Sequence, residues 1–325
     1  MTEKALIGTD FEEEVCPLQL QAVDDQIRFV EDMLGAPSDE KIRIYAYGEG
    51  PPDCDGLGCY TFDDSGIIKT HWSAIDHEVV HAVEDRFVDR PRTFWSEGTA
   101  VALEEKGTLV GSSSVLDNIH IGDYHDLDYL TSGHFVRWLL ENEDPTLVRR
   151  MLKGESINTV YGRSIEQLAA AYEAERPYAY PPWFPCDHPP LPSPEPERWV
   201  ETIDISCEHP EGTSGENYRR SVVRSVELEA GRYALETIGG SGTRIVGCQM
   251  DVWDERPPPM ANGDVPNHVE NSQTAVGVLF ESGEVHEVTL TEGTYKVVVA
   301  TLELREEVTV DLRRLDTERF DEDGG

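Results

Sequence analysis

Residues 72–105 read WSAIDHEVVHAVEDRFVDRPRTFWSEGTAVALEE, and this stretch organises the reading of the whole chain. From Ser73 to about Phe87 the apolar residues recur at helical spacing, Pro91 interrupts, and a second helix begins near Trp95 and runs to about Glu105. On the first helix, His77-Glu78-Val79-Val80-His81 places two imidazoles one turn apart on one face, about 6 Å apart at Cβ. One metal ion can reach both. Glu78, beside the first histidine, stands where a carboxylate can contact an activated water without being a ligand, which is the position of a general base.

Working outward, PLQLQAVDDQIRFVEDML (17–34) sets Leu18, Val23, Ile27, Val30 and Leu34 at helical spacing, and Gly35-Ala36-Pro37 stops the pattern. KIRIYAY (41–47) reads as a strand, and a Gly/Pro/Asp-rich loop leads to CYTF (59–62) and GIIKT (66–70), two short strands about a turn signal. Downstream, helices are expected at 128–142, 144–153 and 164–176. The stretch YAYPPWFPCDHPPLPSPEPERW (178–199) is too rich in proline for a helix or central strand and reads as a linker.

Beyond it, SVVRSVELEAGRYALETIGG (221–240), TAVGVLFESGEVHEVTLTEGTYKVVVATL (274–302) and EEVTVDLRRL (306–315) alternate β-branched with polar residues between glycine turns. Similar turns at Glu229-Ala-Gly-Arg-Tyr and Glu292-Gly-Thr-Tyr suit a sandwich with hairpin-linked strands. The expected fold class is therefore α+β. A helical domain with a short N-terminal sheet spans 1–177, a linker 178–199 and an all-β sandwich 200–316, with a disordered acidic tail at 317–325.

Composition narrows the function classes. Against 27 lysines and arginines stand 64 aspartates and glutamates, a formal charge of −37, which opposes binding to nucleic acid or an anionic membrane. No run approaches the roughly 18 apolar residues of a transmembrane helix, and the first residues lack a signal-peptide core. The six cysteines form no CxxC pair and read as disulfides: Cys54 with Cys59 across a short turn, and Cys16, Cys186, Cys207 and Cys248 in one of three pairings. Such bridges imply an oxidising compartment, hence a secreted, periplasmic or cell-surface location. His120, His125, His188, His209, His268 and His286 show no ligand spacing.

Glu97, in Trp95-Ser96-Glu97-Gly98-Thr99-Ala100, stands sixteen residues after His81 at the start of the next helix, where a third ligand would complete a zinc site with one open position. With HExxH followed by this WxEGxA segment, the chain resembles the gluzincins, the thermolysin-like zinc metallopeptidases. The resemblance covers roughly 15–176 and implies zinc ligation by His77, His81 and Glu97, with water activation by Glu78. It implies that Glu104 hydrogen-bonds a ligand histidine. Tyr129-Leu-Thr-Ser-Gly133-His134-Phe135-Val-Arg-Trp-Leu139 is similar to the family's YxxxGxFVxYL helix, which gives Tyr129 the oxyanion role, with Tyr124 and His134 as rivals. YGRSIEQLAAAYEAE (161–175) resembles the family's closing helix. No GxMEN-like segment precedes the motif, so an aminopeptidase is not implied and an endopeptidase acting on peptide or protein is expected.

Two other functions fit the same residues. One is a non-catalytic binding or adaptor protein with a relic zinc domain, and the other is a zinc hydrolase acting on a non-peptide bond. The β domain resembles prepeptidase C-terminal domains and is placed to bind substrate, glycan or a neighbouring surface.

Overall fold

The chain begins with a strand that the sequence hardly advertises. β1 (Ala5–Thr9) pairs in parallel with β2 (Ile42–Tyr47), and α1 (Pro17–Leu34) connects them. In the computed structural model the described residues are 2–11, 15–48, 50–54, 56–60, 66–88, 92–104, 109–111, 113–177, 179–180, 183, 188–208, 220–248, 279–301, 303 and 305–315. Cys186, His209, His268, Thr61, Phe62 and the tail lie outside them.

Pro17 occupies the first turn of α1, the Cys16 N–H donates to Gln19 Oε1 at 2.9 Å, and Gly35 ends the helix at φ 58°. Val23, Ile27, Val30 and Leu34 are buried along one face, whereas Leu18 is 37% exposed and lies off that stripe. Asp24 ties α1 to β1 by accepting the N–H groups of Glu3 at 2.7 Å and Lys4 at 2.8 Å. The sheet continues with β3 (Gly58–Tyr60) and β4 (Ile67–His71) in the order β1-β2-β4-β3; β4 runs parallel to β2, and β3 runs antiparallel to β4 along the edge.

A short 3-10 turn (Trp72–Ala74) leads from β4 into α2 (Ile75–Asp85), which carries the two histidines, and then into α3 (Thr93–Leu103). The peptide after Leu103 is extended, so Glu104 caps α3 rather than lying inside it. There follow β5 (Leu109–Val110), α4 (Val115–Asn118), α5 (Tyr129–Asn142), α6 (Thr146–Leu152), α7 (Ile157–Tyr161), α8 (Ile165–Glu175) and β6 (Ala179–Tyr180). Two glycines let α3 and α5 approach closely. A Cβ on Gly98 would come 2.9 Å from Ser132 O, and one on Gly133 would overlap Val101 Cγ1.

The proline-rich segment is not a free linker throughout. Tyr180 pairs with Leu109 through β6 and β5 and is buried. Trp183 donates Nε1–H to Ala102 O at 2.5 Å, and its ring stacks under the Arg137 guanidinium at 3.2 Å. The chain accordingly divides into compact units at Met1–Trp183 and Phe184–Gly325. Leu191 belongs to the core of the second unit, where its N–H donates to Ser225 O at 2.8 Å.

That second unit contains β7 (Arg198–Ser206), β8 (Arg220–Leu228), β9 (Gly231–Ile238), β10 (Gly242–Gly247), β11 (Leu279–Phe280), β12 (Val285–Leu290), β13 (Gly293–Thr301) and β14 (Arg305–Arg314). They form two four-stranded sheets, β11-β10-β13-β8 and β12-β9-β14-β7, whose inward residues share one apolar core, as in a β sandwich. The turns at Glu229 and Glu292 are not hairpins: each passes the chain from one sheet to the other, β8 to β9 and β12 to β13. A tyrosine fixes each of these arches. Tyr233 Oη donates to Glu229 O at 2.6 Å and Tyr295 Oη to Thr291 O at 2.9 Å. Cys54 and Cys59 are bridged, and Cys16, Cys207 and Cys248 are also disulfide-bonded.

Candidate metal centre

Helical periodicity brings His77 and His81 to one face of α2, and the close packing of α3 presents Glu97 to them. Three ligand atoms converge. His77 Nε2 lies 3.2 Å from Glu97 Oε2, His81 Nε2 lies 3.3 Å from His77 Nε2, and His81 Nε2 lies 3.5 Å from Glu97 Oε2. A tetrahedral zinc with bonds of about 2.0–2.1 Å has ligand–ligand edges of about 3.3–3.4 Å, so this triangle has the size such an ion requires. Among the described residues these three form the single cluster with metal-ligand spacing.

The outward nitrogens explain why the inward ones are available. His77 Nδ1 is 3.0 Å from Glu104 Oε2, and His81 Nδ1 faces Glu84 Oε2 at 3.4 Å and Ser96 Oγ at 3.1 Å. Ser96 Oγ–H donates to Glu84 Oε2 at 2.5 Å. With each Nδ1–H directed at an acceptor, the Nε2 lone pairs point together, and three facing acceptors call for a cation. The residues present fit a divalent ion.

Without an ion, the surrounding carboxylates favour protonated imidazoles, whose Nε2 protons a bound cation would replace. Burial alone would depress both imidazolium groups, but Glu104 and Glu97 raise His77, and Glu84 and Glu97 raise His81 well above its ordinary value. Burial opposes ionisation of Glu97 as well, yet the two histidines hold its carboxyl far below the usual range. Glu84 is fully buried, which pushes its carboxyl up despite His81 and Ser96, and its Oε1 has no hydrogen-bond partner among the described residues.

His77, His81, Ser96 and Glu97 line a cleft of about 910 Å³ that also takes in Glu78, Glu104, Tyr124, Tyr129, Asp53, Cys54 and the stretch Gly56–Tyr60. Glu78 is buried against β3. A Cβ on Gly58 would come 2.8 Å from Glu78 Oε1, so glycine at this position makes room for the carboxylate. The Tyr129 ring lies 6.3 Å from the His77 ring, and burial, then the charges of Glu97 and Glu78, push its hydroxyl up and keep it protonated.

No family model matches this chain, and no curated protein does. A comparison with solved structures returns a cycloisomaltooligosaccharide glucanotransferase from Paenibacillus sp. complexed with cycloisomaltoheptaose, 11% identical and covering 96% of this chain. The chain spans 58% of that protein's length at a TM-score of 0.16, too low to carry any argument.

Of the sequence candidates, His77, His81, Glu97, Glu78, Glu104, Tyr129 and Tyr124 meet in the cleft. His134 does not. It is buried beside Tyr172, whose hydroxyl lies 2.8 Å from His134 Nδ1, and it is absent from the cleft lining. His120, His125, His188 and His286 are absent from it too. Sequence reasoning missed Glu84 and Ser96. Glu84 left a signal, a carboxylate three residues after His81 on the buried side of an amphipathic helix.

Proposed function

We propose that this protein is a zinc-dependent metallopeptidase that cleaves internal peptide bonds. The observation that carries the reading is the convergence of His77, His81 and Glu97 at 3.2–3.5 Å with Glu78 in the same cleft. His77, His81 and Glu97 would hold the zinc, which when bound would supply Lewis acidity towards a carbonyl and a water near neutral pH. Glu78 takes the proton of the attacking water and returns it to the leaving amide nitrogen. Tyr129, kept protonated by its surroundings, donates to the developing oxyanion. Glu104 and Glu84 hold the two imidazoles in the tautomer that leaves Nε2 free to ligate.

No lysine or arginine lines the described cleft to hold a substrate's terminal carboxylate, and the sequence lacks the segment that grips an amino terminus in aminopeptidases. Both points favour an endopeptidase. The disulfides favour a secreted or cell-surface setting; no helix among the described residues is long and apolar enough to cross a membrane. Zinc content and peptide hydrolysis in wild type and Glu78→Gln test the proposal. We expect one zinc per chain in both and a rate about 10²–10⁴-fold lower in the variant. Full activity in Glu78→Gln, or an inactive zinc-loaded wild type across broad peptide libraries, would sink it.

A further inference from the structure

The lining of the cleft is uneven in two independent ways. First, carboxylates dominate it: Asp53, Glu78, Glu97 and Glu104 contribute four, no lysine or arginine joins them among the described residues, and its basic groups are the two histidines of the metal cluster. A bound divalent cation offsets two of the four charges, and the surplus lies on a chain of formal charge −37. Lys69 Nζ lies 3.3 Å from Asp53 but stands outside the lining, so it softens the rim without reversing its sign. Low-dielectric walls of one sign focus the field, which concentrates oppositely charged ligands and raises their on-rates about 10–10³-fold.

Second, the same cleft displays apolar surface that folding leaves in water. Leu57, Leu130 and Tyr124 are 60%, 50% and 41% exposed, and all three line it. They come from separate places in the chain: the loop before β3, the first turn of α5 and the loop before that helix. Large apolar side chains gathered around a polar centre mark a surface that is covered when a ligand binds. The Cys54–Cys59 bridge fixes the loop that carries Leu57.

We propose that the substrates are extended cationic peptides that place a large apolar side chain against Leu57, Leu130 and Tyr124 and carry lysine or arginine on either side of it. This substrate class rests on the peptidase reading. Two fluorogenic peptides sharing one apolar centre, flanked by lysine in one and glutamate in the other, test it on the zinc-loaded full chain. The expected kcat/KM ratio is about tenfold or more in favour of the lysine peptide at low ionic strength, collapsing towards unity near 1 M salt, where the screening length falls to about 3 Å. Leu130→Ser should raise KM for both peptides about tenfold, by the loss of one buried leucine contact. Binding of the labelled peptides to zinc-loaded Glu78→Gln, followed by fluorescence anisotropy, reads the same preference without turnover. Cleavage of both peptides at equal, salt-independent rates overturns the substrate class and leaves the peptidase standing. Preferential binding of the lysine peptide with no cleavage by wild type keeps the cleft's preference for cationic peptides as ligands and overturns the peptidase.

Discussion

Replacing Glu84 by Gln tests what a carboxylate behind His81 would contribute to metal binding under the proposed function. The carboxylate is wholly buried and stands 3.4 Å from His81 Nδ1, with the Ser96 hydroxyl sharing that proton at 3.1 Å. The equivalent partner of His77, Glu104, is closer at 3.0 Å. Removing such a partner costs about 10–100-fold in metal affinity, and the distances rank the two sites within that range. Glu84→Gln should weaken zinc about tenfold, roughly 1.4 kcal/mol, and Glu104→Gln about 100-fold, roughly 2.7 kcal/mol. A zinc titration in competition with a chromophoric chelator at fixed pH measures both. Thermal unfolding of the zinc-free proteins is the control: burial already disfavours the ionised form of Glu84, so its neutral replacement should leave the apo melting temperature unchanged or raised. An unchanged zinc affinity in Glu84→Gln, or a loss exceeding that of Glu104→Gln, refutes the ranking.

Gly133→Ala puts a methyl group into Val101 and should destabilise the first unit by about 1–3 kcal/mol, measured by urea unfolding, with a matching loss of zinc affinity because α3 carries Glu97. Trp183→Ala removes the bond to Ala102 O and the stack on Arg137, and should cost about 3 kcal/mol or more by the same assay. Asp24 provides a pH signature. Burial alone would raise its carboxyl, but the Thr2 hydroxyl and the N–H groups of Lys4 and Glu3 outweigh it and hold the group below its ordinary 3.8. A depressed folded value stabilises above the unfolded one and is lost as pH falls through the folded one. The gap between wild type and Asp24→Ala should therefore be about 2 kcal/mol at pH 7 and shrink as the pH falls below the ordinary carboxyl value of 3.8 towards the lower folded one. A gap that widens on acidification contradicts the assignment.

The centre was legible because its chemistry is local. His77, Glu78 and His81 sit on one turn of helix, and Glu97 follows a single loop later, so helical periodicity and a short connection carry most of the geometry. β1 was not legible: five residues of weak alternation become a strand only by pairing with β2, which the intervening helix separates from it in sequence. Ser96 was hidden because its value depends on the crossing of α2 and α3, which no single-helix pattern encodes. The arches at Glu229 and Glu292 looked like hairpins because a glycine turn between alternating strands has the same composition whether the strands pair or face each other. Proline content likewise marked where regular structure stops, and could not show that the chain still packs at Tyr180 and Trp183.

For anyone expressing the first unit by itself, Trp183 sets the earliest useful position of the stop codon. A gene fragment ended at 177, where the prolines invite the cut, strips away Tyr180 and Trp183 and leaves Ala102 O without its donor beside the helix that carries Glu97. The product would expose the apolar flank of α5 and the Phe29 ring, which favours aggregation whatever the state of the His77–His81–Glu97 cluster. Carried through codon 183, the same fragment keeps β6 and Trp183, but Cys16, disulfide-bonded in the full chain, still loses its partner, because Cys186, Cys207 and Cys248 all lie beyond the cut.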